Sequence, residues 1–138
     1  MPEQQYPEPT VGALILNPRG ELLLVRSHKW HVEFTIPGGH VELGESLEEA
    51  VVREAKEETD LDVFDPQFLT YQQFIFEDSF YKERHFIFFD FLCRTEDDQV
   101  SLNDEAEEYL WVEPEEAFSF EVSPFLKKAL RVYLGRQV

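Results

Sequence analysis

The sequence predicts an α/β fold in which a mixed β-sheet is held between helices. Strand-type runs lie on both sides of one acidic amphipathic helix near the middle of the chain, and a second amphipathic helix closes it. No internal repeat or low-complexity linker divides the 138 residues, a length that supports one domain, 1–138, with a proper core.

Taken in order, Val11 to Leu16 and Glu21 to Arg26 are apolar runs flanking Asn17-Pro18-Arg19-Gly20, which reads as a hairpin. Thr35-Ile36-Pro37 leads into Gly38-Gly39, where missing side chains permit close backbone approach. Ser46 is a helix N-cap and Glu49 its reciprocal partner, so a helix runs to about Thr59. Phe64 to Phe76 alternates enough for a long strand, and Asp78 to Glu83 is a polar loop. Arg84 to Arg94 is apolar at nearly every position and reads as a strand buried on both faces. Tyr109 to Val112 makes a short last strand. Ser123 before Pro124 starts the closing helix, whose apolar face is Phe125, Leu126, Ala129, Leu130 and Tyr133, and Gly135 ends it.

The central helix carries chemistry that packing does not explain. Leu47, Ala50, Val51 and Ala55 form its apolar stripe. Glu54 and Glu58 fall on that stripe and Glu57 lies at its edge, where a structural helix would place Leu or Ile. Carboxylates at these spacings repel one another, and partial burial makes the repulsion worse. A hard divalent cation, which takes oxygen ligands, is the simplest remedy. Magnesium is the expected ion, with manganese as the alternative.

Residues 39–61 resemble the Nudix box of the MutT/Nudix hydrolases, G-x5-E-x7-R-E-U-x-E-E-x-G-U, where U is bulky and aliphatic. Here it reads Gly39, Glu45, Arg53-Glu54, Ala55, Glu57-Glu58 and Leu61. Every charged position is intact. Ala55 is smaller than usual, and Asp60 replaces the final glycine. That position sits just past the helix end, where a left-handed residue closes the last turn, and Asp reaches this conformation more easily than most residues. The resemblance implies a Nudix α/β/α sandwich with the box as a loop-helix-loop that binds divalent cations and a diphosphate bridge. Glu54, Glu57 and Glu58 map onto metal-ligating glutamates, with the Gly38 carbonyl as a further ligand. Arg53 lies one turn from both Glu49 and Glu57 and is expected to orient Glu57, while Glu45 braces the loop. The family draws its general base from different places. In MutT-like members a metal-binding glutamate lies six residues before a tryptophan comparable to Trp111, which here is Glu105. It is a candidate for metal or proton, against the plainer reading of a solvated acidic loop.

Composition limits the partners. A net charge of -17 argues against nucleic acid polymers, whose phosphates are bound through Lys and Arg. It would repel a free nucleotide too, unless bound cations reverse the field locally. No apolar run is long enough to span a bilayer, and MPEQQYPEPT has neither the basic region nor the apolar core of a secretory signal. The lone Cys93 fits a reducing cytoplasm and packing within an aromatic run. A monomer and a homodimer are both left open.

The substrate readers carry weaker signals. Lys29 and Trp30, after a strand, would supply a cation for phosphate and an indole for base stacking, against the plainer reading of a half-buried Trp with snorkelling neighbours. Phe76 and Phe80 flank the polar loop and would line a base pocket. The downstream proline of many ADP-ribose pyrophosphatases and the signature of the NADH pyrophosphatases are absent. The segment VSLNDEAEEYLWVEPEEA is similar to nucleoside triphosphatase and GDP-mannose hydrolase members. The expected activity is therefore magnesium-dependent cleavage of a pyrophosphate bond in a nucleoside triphosphate or another nucleoside diphosphate-linked compound. A catalytically silent Nudix domain acting as a nucleotide sensor is the competing reading, and an acidic cation-binding module without chemistry is a third.

Overall fold

The computed structural model describes residues 4–31 and 34–135; Met1–Glu3 of the N-terminal segment lie outside them. The elements run β1 (Glu8–Leu16), β2 (Leu22–Arg26), β3 (Gly38–His40), α1 (Leu47–Thr59), β4 (Val63–Ile75), β5 (His85–Thr95), β6 (Glu108–Val112), a 3-10 turn (Pro114–Ser119) and α2 (Pro124–Tyr133). The path across the sheet is β4-β5-β1-β2-β6, with β3 also on β1. β1 and β5 are parallel and the other strand pairs antiparallel, so the sheet is mixed.

Side-chain alternation along β1 sorts the core into two layers. Val11, Ala13 and Ile15 pack with Ala50, Val51 and Ala55 of α1 on one face. Leu14 and Leu16 pack with Leu126, Ala129 and Leu130 of α2 on the other. The expected sandwich, a sheet between helices, is the fold observed.

Local chemistry explains the boundaries. The Gly20 N–H donates to Asn17 O at 2.9 Å, and Gly20 closes the turn at a φ of 78°. The α1 capping box is complete: the Glu49 N–H donates to Ser46 Oγ at 3.1 Å, and the Ser46 N–H to Glu49 Oε1 at 2.8 Å. Asp60 adopts the expected left-handed conformation, with a φ of 63°. At α2, Ser123 Oγ accepts from the Phe125 and Leu126 N–H groups.

One reading changes. β5 is not sealed on both faces: Ile87, Phe88, Phe89 and Leu92 are only half-buried. Its α2 face looks partly into a cleft, which is why aromatic rings there stay accessible. β4 is the sheet edge, and Phe64, Phe68, Tyr71 and Ile75 are exposed along it.

Candidate active site

The α1 helix delivers its acids to a cleft that is also lined by Gly12, Gly38 and Gly39. Gly12 of β1 pairs in register with Gly38 of β3 on one side and with Asp90 of β5 on the other. A Cβ on Gly38 would overlap the Val11 carbonyl, and one on Gly39 would overlap the Glu54 carboxylate. The Gly38-Gly39 pair is therefore required by close approach, as its sequence suggests. The Gly38 N–H also donates to Glu58 Oε1 at 3.3 Å, which ties the helix to the strand.

Glu54, Glu58 and Glu105 each aim a carboxylate oxygen into one spot, the three lying within 4.8 Å of one another. Glu58 is buried, and burial with the neighbouring charges of Glu105 and Glu54 pushes its carboxyl up to about 9. Burial also raises Glu54, against the opposing pull of Arg53. Glu105 is held below the usual carboxylate range, chiefly by the hydrogen bond from Lys29 Nζ at 2.9 Å. Three carboxylates cannot all stay ionised this close together, so the cluster suits a hard divalent cation by donor type and by charge. Glu57 lines the same cleft but stands outside this trio, with its side chain half-exposed.

Arg53 is the hub of the surrounding framework. Its guanidinium reaches Glu45 through Nε at 2.7 Å and Nη2 at 2.9 Å. Nη1 donates to Glu54 Oε1 at 3.0 Å and Glu57 Oε2 at 2.9 Å, and Nη2 donates to the His40 carbonyl at 2.9 Å. Glu45, which also accepts from the Glu42 N–H, is lowered to about 2, first by Arg53. Arg53 thus pairs with Glu57 and with Glu54 as well. Its other expected neighbour, Glu49, serves the capping box instead.

The cleft holds about 410 Å³ and continues from the acidic end to an aromatic one. Lys29, Trp30 and Phe80 all line it. Trp30 sits 4.6 Å from Phe80 and 5.5 Å from Phe74 between ring centroids, with Phe86 and Phe88 behind.

A family model for the NUDIX domain matches residues 6–133. The chain belongs to the Nudix family. Nucleoside triphosphatase NudI of Escherichia coli K12 is 30% identical over 106 residues, covering 72% of this chain and 75% of that protein. The MutT protein of Methanosarcina mazei Go1 superposes with a TM-score of 0.77 at 31% identity, covering 96% of this chain and 98% of that one. NAD-capped RNA hydrolase NudC of Stutzerimonas stutzeri is 38% identical over 78 residues, 55% of this chain; the match spans only 28% of NudC.

Within this Nudix fold the structure gathers Lys29, Trp30, Gly38, Arg53, Glu54, Glu57, Glu58, Phe80 and Glu105 around one cleft. Phe76 is the correction. Strict alternation would carry its ring to the cleft face with Gln72 and Phe74, but Phe76 has a φ of 50°, which turns the chain at the strand end. Its ring is exposed beside His85, in a shallow depression with Gln4, Tyr6 and Arg84. Phe74, fully buried, takes the inward role. Cys93 is buried, and its thiol is pushed up to about 12 by burial, as a packing residue should be.

Among the cleft residues that the sequence reading does not single out are Gly12 and Asp90. Asp90 is an acid inside a run of aromatics, and that anomaly was the available signal.

Proposed function

We propose that this protein is a magnesium-dependent pyrophosphohydrolase of a nucleoside triphosphate or another nucleoside diphosphate-linked compound, with manganese as an alternative ion. One observation carries the reading: a single cleft joins a convergent trio of carboxylates, Glu54, Glu58 and Glu105, to an aromatic compartment around Trp30. A nucleotide has the same two-part chemistry, a polyanion at one end and a π-system at the other.

In this reading Glu54 and Glu58, with Glu57 and the Gly38 carbonyl at the rim, hold the divalent cation. Bound there, a divalent cation would supply Lewis acidity to the pyrophosphate and to a water. Arg53 fixes the carboxylates so that little reorganisation accompanies binding. Glu105 is the acid best placed to take a proton, because it is tethered from outside the helix and partly exposed. Lys29 faces the phosphates once that tether is exchanged, and Trp30 with Phe80 stacks the base. The partner is a small nucleotide in the cytoplasm rather than a nucleic acid polymer. Among the described residues no helix is long and apolar enough to cross a membrane.

The test is incubation with magnesium or chelator and a panel of nucleoside triphosphates, nucleotide sugars and dinucleoside polyphosphates, with the phosphorus-containing products resolved. Magnesium-dependent cleavage of at least one compound at the pyrophosphate is expected. Binding without turnover across the panel would overturn the hydrolase reading in favour of a nucleotide sensor.

A further inference from the structure

The aromatic end of the cleft has a polar floor for which the pyrophosphate chemistry has no use. Asp90 is 6% exposed and lines the cleft. Its Oδ2 accepts from Gln72 Nε2 at 3.0 Å, and the same amide nitrogen donates to the Phe125 carbonyl at 2.8 Å. Both N–H groups of the Gln72 amide are therefore committed, one of them to holding Oδ2. Oδ1 receives no hydrogen bond from the described residues. It lies over Gly12, where an added Cβ would sit 2.9 Å from Oδ1 and 3.1 Å from Ile36 Cδ1. Oδ1 opens onto the cleft, where a ligand donor can replace water as its partner.

Geometry restricts that donor. Gly12, which has no side chain, and Ile36 border Oδ1, so a projecting group reaches it more readily than a ring N–H set back between its neighbours. Phe88 and Phe125, 5.4 Å apart, and the Trp30 cluster supply the apolar walls. Register supplies the span. Gly12 separates Asp90 from Gly38, to which Glu58 is bonded, so Asp90 lies two strand spacings, roughly 10 Å, from the strand that anchors the acidic end. That separation suits the two ends of one nucleotide.

We propose that Asp90, positioned by Gln72, reads the exocyclic amino group of a nucleobase bound at the aromatic end, so that the preferred substrate carries an amino-bearing base. The inference rests on the nucleotide reading above and adds the base class to it. Guanine and adenine both present such a group, and paired probes separate them.

The experiment is calorimetric binding of nucleoside monophosphates, which have no pyrophosphate to cleave, to the intact chain with magnesium. Guanosine is compared with inosine monophosphate, adenosine with purine riboside monophosphate, and ribose 5-phosphate reports the base-independent part. In the wild type, one amino-bearing ligand should bind at least about tenfold tighter than its des-amino twin, the size of a hydrogen bond to a buried charge. Asp90→Asn should erase the preference and leave ribose 5-phosphate binding unchanged. Gly12→Ala, whose added Cβ would crowd Oδ1 and displace the carboxylate, should erase it too and serves if Asp90→Asn fails to fold. Equal binding of both pairs by the wild type, retention of the preference in the variants, or an equal loss for ribose 5-phosphate would each overturn the assignment. Failure of hydrolysis with an intact preference would count against the enzyme reading alone.

Discussion

Lys29 Nζ sits 2.9 Å from Glu105 Oε1, and Glu105 brings a carboxylate oxygen to within 4.8 Å of those of Glu54 and Glu58. An internal ammonium thus partly offsets a charge cluster that a metal ion would neutralise more fully. The pair also brings the acidic loop before β6 into the cleft.

This placement separates Glu105 from its neighbours in the same acidic run. Glu108 pairs with Arg26 at 3.1 Å on the surface, and Glu107 is exposed. Glu105→Gln should therefore lower kcat by about 100-fold or more, the usual cost of losing a general base. Glu107→Gln and Glu108→Gln should stay near wild type. Steady-state kinetics with saturating magnesium decides it; three equal effects would return the loop to the solvated surface.

The raised carboxyl of Glu58 makes metal-free stability depend on pH. Unfolded, this group titrates near 4.3, and in the fold its value is about 9. Between those limits the native state holds a proton that the unfolded chain has released, so stability falls as pH rises through the window. With chelator, the melting temperature should drop steadily from about pH 5 to about pH 9. Saturating magnesium, at one hundred times its dissociation constant, should add about 2.7 kcal/mol. Glu58→Gln should flatten the chelator profile and abolish the gain from magnesium. A wild-type melting temperature indifferent to both pH and magnesium would remove Glu58 from the metal site.

Much of this was legible because the box fixes chemistry by spacing along one helix. Ser46, Glu49, Glu54 and Glu58 occupy positions set by a period of 3.6 residues, and a helix realises that period whatever surrounds it. What failed depends on long-range pairing. β3 is a strand only because Gly38–His40 finds the backbone of β1, and its three residues carry no apolar pattern. The Lys29–Glu105 contact joins residues 76 positions apart. Phe76 was misplaced because a single positive φ undoes an alternation that a strand pattern presumes. Asp90 was passed over inside an aromatic run, although a lone carboxylate there was the residue least explained by packing.

Arg53 should act as a positioning residue. Its planar fork meets Glu45, Glu54, Glu57 and the His40 carbonyl at once, which a lysine ammonium on a flexible stem does not reproduce. Arg53→Lys should keep the fold yet weaken magnesium affinity or turnover by about 10- to 100-fold, as losses around metal ligands do. A magnesium titration of activity, run beside KM for the nucleotide, distinguishes the two roles. A rise in KM alone, with the magnesium midpoint unmoved, would mean that Arg53 binds substrate directly.

Asp60 offers a test of what the departure from the box glycine costs. Its φ of 63° is a conformation that non-glycine residues adopt at about 1 kcal/mol. Asp60→Gly relieves that strain but makes the unfolded chain more flexible, which opposes the gain by roughly 0.4 to 1 kcal/mol. The exposed contact with Lys56 at 3.3 Å is lost as well, and exposed pairs contribute little. The effects nearly cancel, leaving a slight rise in melting temperature. Turnover should not change, because the Asp60 side chain turns toward Lys56 and does not line the cleft. Thermal melts and initial rates on the same preparation check both parts. A large loss of turnover with an unchanged melting temperature would show that the Asp60 carboxylate acts in the reaction despite its place at the helix end.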